Sequence, residues 1–224
     1  EMVEFEKNIH YTFNDKELLR TALTHSSYAN EKKGKIRFNE RLEFLGDAVL
    51  QLITSEKLFK ENPNMPEGKM SKQRAALVCE DALAGYAHEI NLGDYLNLGK
   101  GEETTGGRKR PSILSDAFEA VIGAIFLDGG MEPAKKFVLH FVDAAHLSLQ
   151  DYKTLLQEII QQNPGEKLSY VVTEESGPDH DKQFTMEVHL NSNVIGKGTG
   201  KSKKHAEQAA AKEALALMGY KDNI

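Results

Sequence analysis

Asn39-Glu40-Arg41-Leu42-Glu43-Phe44-Leu45-Gly46-Asp47 is the stretch on which the reading of this chain turns. It opens a run in which Leu42, Leu45, Val49, Leu52 and Ile53 recur at helical spacing, so a helix with most of its surface buried is expected. Glu40, Glu43 and Asp47 fall at i, i+3 and i+7 and share one face of it; Phe44 lies on another. Glu43 and Asp47 are like charges at i, i+4, which repel by a few tenths of a kcal/mol. No Lys or Arg stands three or four residues from either. Glu40 alone has one, Arg37 at i−3. Carboxylates on a buried helix need a counter-charge.

A second segment repeats the arrangement. Ser115-Asp116-Ala117-Phe118-Glu119-Ala120-Val121-Ile122-Gly123 opens an apolar helix with Asp116 and Glu119 at i, i+3 and no base within a turn. Two such pairs point to a divalent cation between two helices, and all-oxygen ligation favours Mg²⁺ or Mn²⁺ over zinc. The alternative is that these are helix-start acids favoured by the macrodipole, or solvated acids on an amphipathic face.

Outward from these segments, residues 15–145 read as helices, with breaks at Asn62–Pro66 and Thr104–Pro111 and turns at Asn91–Gly93 and Asp128–Gly130. After His146 the texture changes. Lys153–Gln162 reads as a helix. Leu168–Glu174, Gln183–Leu190 and Val194–Thr199 read as strands, and Lys203–Met218 as an alanine-rich helix. The expectation is multi-domain: an all-α domain over 1–146 and a small α+β domain, α-β-β-β-α, over 151–220. The chain of 224 residues carries a net charge of −6, which argues against a polyanion partner unless the charges are segregated. No apolar run reaches the length of a membrane span, and residues 1–13 lack a signal-peptide pattern. The single cysteine, Cys79, excludes an internal disulfide, fits a reducing cytoplasm and reads as a small core residue beside Ala75–Val78.

The charges are segregated. Gly196-Lys-Gly-Thr-Gly-Lys-Ser-Lys-Lys204 holds four lysines and no acid, and reads as glycines and a turn feeding the last helix. A helix N-terminus attracts phosphate, and Lys201, Lys203 and Lys204 add charge there. Gly200-Lys201-Ser202 resembles the end of a P-loop, but that loop's earlier glycine is replaced by Ile195 and too little chain follows for its sheet.

The segment NERLEFLGD resembles the signature of the ribonuclease III family, and 115–123 resembles that family's second acidic helix. Tyr11–Asn14, Ala22–His25, Gly68–Ser71 and Gly106–Leu114 are similar to bacterial members as well. The α-β-β-β-α segment resembles a double-stranded RNA-binding domain. The resemblance implies a cytoplasmic endonuclease that hydrolyses duplex RNA with Mg²⁺ (Mn²⁺ substituting), leaves 5′-phosphate and 3′-hydroxyl ends, and processes rRNA precursors and other structured transcripts. It implies Glu43, Asp116 and Glu119 as metal ligands, Asp47 and Glu119 as catalytic, and Glu40 and Glu67 as supporting acids. It implies Gln157, Glu158, Gln161 and His180 at minor grooves and Lys201, Lys203 and Lys204 on phosphates. It also implies a homodimer in which Phe44 enters a socket on the second subunit, with no small-molecule cofactor and no membrane. The rival reading is a non-catalytic duplex-RNA-binding or ribosome-assembly protein on the same fold. From the residues alone Phe44 is equally a core residue. Arg108–Arg110 reads as a mobile surface loop or as an RNA backbone contact, and His25 as structural.

Overall fold

Local side-chain chemistry sets the helix ends. Asp15 accepts from the Glu17 N–H, His25 from the Ser27 N–H and Ser202 from the His205 N–H, each satisfying a donor that the first helical turn leaves open. Pro111 starts a helix where its missing N–H is no loss, and Gly130 ends it at φ 85°. The computed structural model describes residues 2–32, 35–149, 151–178 and 182–220. It divides into two units, Glu1–Ser148 and Leu149–Ile224.

The first unit is helical: α1 (Met2–Asn8), α2 (Lys16–Ala22), α3 (Ser26–Glu31), α4 (Glu40–Glu61), α5 (Glu67–Val78), α6 (Glu80–Glu89), α7 (Lys100–Thr104), α8 (Pro111–Gly129) and α9 (Met131–Leu149). Helix α8 is its axis. Leu114, Ala117, Ala120, Val121, Ile122, Ala124 and Ile125 have no exposed surface, and Phe118 sits among the rings of Tyr86, Phe137 and Phe141 at 5.2–5.8 Å. This helix begins four residues before Ser115, so Asp116 and Glu119 lie beyond its first turn. The macrodipole acts over that first turn only and does not account for them.

Helix α4 crosses α8 closely because each presents a glycine to the other. A Cβ on Gly46 would stand 1.7 Å from the Glu119 carbonyl oxygen, and one on Gly123 2.4 Å from that of Leu42. The outer face of α4 is less buried than its apolar content suggests: Phe44, Leu52 and Phe59 are 81%, 58% and 71% exposed. Cys79 is exposed rather than buried. It sits in extended backbone at the break between α5 and α6, and α5 turns only Leu77 fully inward.

The second unit runs α10 (Tyr152–Ile160), β1 (Leu168–Ser176), β2 (Gln183–Leu190), β3 (Asn193–Gly200) and α11 (Lys203–Leu217), with an antiparallel sheet ordered β1-β2-β3. Its core joins Leu156 and Ile160 of α10, Met186 and Val188 of β2, and Ala206, Ala210, Ala211, Ala214 and Leu215 of α11. Gly196 and Gly198 lie in strand β3, as the reading of Val194–Thr199 as a strand implies, and the strand runs on to Gly200. A Cβ on Gly196, Gly198 or Gly200 would lie 2.2–2.7 Å from α11 backbone atoms of Ala210 or Ala206. Alternate glycines on the strand and alanines on the helix let the two backbones nearly touch.

Candidate metal centre

The α4–α8 crossing fixes where the acids meet. Gly46 lies between Glu43 and Asp47 in sequence and packs on the Glu119 carbonyl, so the contact that draws the helices together also brings their carboxylates face to face. One carboxylate oxygen each from Glu43, Asp116 and Glu119 lie within 4.8 Å of one another, and all three side chains are half-buried. Asp47 stands beside them on the exposed side of α4, its Oδ1 accepting from Gln51 Nε2 at 3.3 Å. Glu40 is exposed at the start of α4 and outside the converging trio. No ion pair joins it to Arg37 among the described residues, so the neutralisation that their spacing suggests does not occur.

The electrostatics show what the trio lacks. Burial, then the charges of Asp47, Glu43 and Asp116, push Glu119 up to about 8. Burial, then Asp116, Glu40 and Asp47, raise Glu43. Burial and the nearby Glu80 raise Asp116, against which His25 and a hydrogen bond from Ser115 act. On Glu43 and Glu119 every contribution disfavours the charged form, and no Lys or Arg enters at any of the three. Acids so placed hold a proton or a cation. Three carboxylates aimed at one point, carried on two helices pinned by backbone contact, fit a hard divalent ion with oxygen ligands.

Two features here escape a linear reading. Gly46 and Gly123 are ordinary in an apolar run, although a glycine inside a helix is itself a signal of close approach. Glu80 opens α6 and reaches Asp116 through space, which no spacing on one helix could reveal. His25 holds its place as expected, capping α3 with Nδ1 and lying within 2.8 Å of Ser27 Oγ.

Other expected residues are placed elsewhere. Glu67 is exposed at the start of α5 and accepts from Ser71 Oγ at 2.6 Å. It does not join the trio of its own chain. It lines a cavity of about 410 Å³ with Leu52, Phe59, Met70 and Arg74. Phe44 is not a core residue, since it projects 81% exposed from the α4 stripe. Arg108 and Arg110 are tied down within the fold rather than free on a loose surface loop. Arg108 makes a two-pronged pair with Glu103 at 2.6 Å and donates to the Gly93 and Leu96 carbonyls, and Arg110 lies 2.6 Å from Glu102. Both are clamps holding the segment before α8.

In the second unit Gln157, Glu158 and Gln161 form an exposed row on and just beyond α10. Lys201, Lys203 and Lys204 are exposed around the N-terminus of α11, with Lys203 Nζ 5.7 Å from the centre of the Phe184 ring. His180 lies outside the described residues.

Known proteins resemble both units. A family model described as ribonuclease-III-like matches residues 15–145, and one described as the double-stranded RNA binding motif matches 152–218. Ribonuclease 3 of Caldanaerobacter subterraneus subsp. tengcongensis is 50% identical over 220 residues, covering 96% of each chain. Ribonuclease 3 of Oceanobacillus iheyensis is 49% identical over 216 residues, 94% of this chain and 95% of that one. The solved nuclease domain of ribonuclease III from Campylobacter jejuni, described for flexibility in a region involved in dimer formation, is 48% identical. It covers 64% of this chain and 97% of its own, with a TM-score of 0.60.

Proposed function

Since the chain belongs to the ribonuclease III family, we propose that it cuts double-stranded RNA at a Mg²⁺ centre held by Glu43, Asp116 and Glu119. It is an endoribonuclease specific for duplex RNA. The observation that carries the catalytic assignment is the convergence of those three carboxylates within 4.8 Å with no cationic side chain among them. When bound, Mg²⁺ (or Mn²⁺ in its place) lowers the pKa of a water and offsets charge on the phosphoryl oxygens. The chain's own residues do the rest. The α4–α8 contact aims Glu43, Asp116 and Glu119 at one point, and the cation they would hold offsets the charge that burial disfavours. Asp47, with Oδ1 tied to Gln51, offers Oδ2 to orient the attacking water and take its proton. Water oxygen would bond to phosphorus as the 3′-oxygen leaves and takes up a proton from solvent, giving 5′-phosphate and 3′-hydroxyl ends. Glu40 supports the charge of the centre from its rim.

Residues 151–220 hold the duplex by its A-form shape. Gln157, Glu158, Gln161 and His180 face minor grooves, and Lys201, Lys203 and Lys204 meet phosphates between them.

The protein works as a homodimer. The exposed Phe44 of one copy enters the cavity lined by Leu52, Phe59, Met70 and Glu67 of the other, and two-fold symmetry makes the exchange mutual. That docking gives Glu67 its place. Phe44 adjoins Glu43, so Glu67 on the cavity wall stands next to the metal centre of the second copy, where it acts as a supporting acid. Each centre then cuts one strand, and the ends are staggered.

Incubating a long RNA duplex with the protein in Mg²⁺ or in EDTA, beside a Glu119→Ala variant, tests the reading. Cleavage is expected only with Mg²⁺ and the unmodified chain, and the variant should still bind the duplex. Intact RNA with the unmodified protein in Mg²⁺ would leave the non-catalytic binding reading in its place.

A further inference from the structure

A cleft of about 430 Å³ opens between the end of α1 and helix α9, and none of the acids of the metal centre lines it. That volume falls in the range of pockets that take a small organic ligand, roughly 300–1,000 Å³. Its inner wall is apolar and rich in rings. Ile9, Tyr11, Phe137 and Phe141 form it, and the last two meet edge to face at 5.3 Å. His140 meets Phe141 in the same way at 5.0 Å.

The polar groups around this wall divide into those already engaged and those that are not. Tyr11 Oη donates to Asp128 at 2.6 Å, and Asn8 Nδ2 to the Ile90 carbonyl at 3.2 Å. Asp143, the acid of the lining, pairs with Lys57 at 2.7 Å. What remains is basic: His10, Lys136 and His140, each exposed. Lys136 and His140 stand at i, i+4 on one ridge of α9. The neighbouring Lys135 reaches Glu56 at 2.6 Å, whereas Lys136 makes no ion pair among the described residues. In a chain of net charge −6, a lysine and two histidines on one rim, with the acid beside them turned to another lysine, are complementary to an anion.

His10 carries an independent mark. Its N–H donates to the Lys7 carbonyl at 3.2 Å and the Tyr11 N–H to that of Glu6 at 3.1 Å, which closes α1 with a Schellman motif. The motif holds His10 at φ 52°, in the left-handed region where glycine is the usual residue and a Cβ is unfavourable. A histidine at that position gives up stability and gains a side chain on the rim of the cleft.

We propose that the cleft binds a nucleoside monophosphate, its phosphate held by His10, Lys136 and His140 and its base laid against the rings of the inner wall. Aromatic side chains stack any nucleobase, because every base has a π-face. A bare phosphate would leave the apolar wall uncovered, and a duplex backbone has no free base to cover it. The site is separate from the acidic centre, so it stands or falls without the nuclease reading.

The test is calorimetric titration of the full-length chain with AMP in EDTA, which keeps metal from the acidic centre. A dissociation constant of about 1 mM or tighter is expected, with adenosine and inorganic phosphate each binding at least about tenfold more weakly. Lys136→Ala/His140→Ala should weaken AMP binding at least about tenfold. Both side chains are exposed, so Tm should not move. His10→Gly should weaken AMP binding several-fold while Tm holds or rises, because glycine suits the left-handed position. Lys201→Ala/Lys203→Ala/Lys204→Ala should leave AMP binding unchanged, which separates the cleft from the lysines of α11. No AMP binding at several millimolar, or an affinity unaltered in both cleft variants, would overturn the inference. Inorganic phosphate binding as tightly as AMP would overturn the assigned class of ligand, as would displacement of AMP by a short duplex RNA.

Discussion

Glu119 concentrates the electrostatic tension of the centre in one carboxyl. Its folded-state pKa stands at about 8, against an ordinary value of 4.5. Between those values the metal-free folded chain keeps a proton that the unfolded chain has released. Stability then falls as pH rises through that window, because the folded state binds more protons there. Metal binding requires the ionised form and so reverses the trend. Without metal, Tm should therefore decline from about pH 5 to about pH 8; saturating Mg²⁺ should remove the decline, and Glu119→Gln should flatten it even in EDTA. Scanning calorimetry across that range checks it, and a metal-free Tm independent of pH would contradict the clustering of the four acids. The identity of these acids was legible in the sequence, since each lacks a base at helical spacing. The share of Glu80 was not, because α6 meets α8 only through the fold.

At the scale of elements, glycine decides both close contacts that function depends on. Gly46 and Gly123 let α4 and α8 approach until the backbone of one touches the other. Gly46→Ala places a methyl carbon 1.7 Å from the Glu119 carbonyl oxygen, and only separation of the helices relieves it. Such overpacking costs about 1–3 kcal/mol or more, equivalent to a Tm loss of roughly 2–12 °C in a unit of this size. The variant should also bind Mg²⁺ at least tenfold more weakly, since the ligands move apart with the helices. Calorimetric titration with Mg²⁺, alongside a melt, reads both effects. Undiminished Mg²⁺ affinity would show that the acids do not depend on the crossing. The same device recurs in β3, where nothing in the spacing of Gly196, Gly198 and Gly200 at i, i+2 shows the helix that lies on them.

At the scale of the whole molecule, Phe44, Leu52 and Phe59 are exposed on α4 and a cavity adjoins Leu52 and Phe59, the two parts that the proposed dimer would fit together. Phe44→Glu sets a charge where an apolar socket waits. It should shift the protein from dimer to monomer in sedimentation at micromolar concentration, and reduce cleavage of long duplexes at least tenfold. Unaltered sedimentation would exclude Phe44 as the knob. The sequence by itself determined the helical and α-β-β-β-α halves, because periodicity, caps and turn residues are local. It also marked the acids that the fold brings together, because an uncompensated charge shows in its neighbours along the chain. Only the tertiary structure decided that Phe44 is exposed, that Cys79 is not core, that Arg108 and Arg110 are clamps and that Glu67 lines a cavity instead of joining its own chain's acids. Each of these turns on which distant segment packs against a residue, and a backbone contact such as Gly46 on Glu119 joins positions 73 residues apart that no local pattern links.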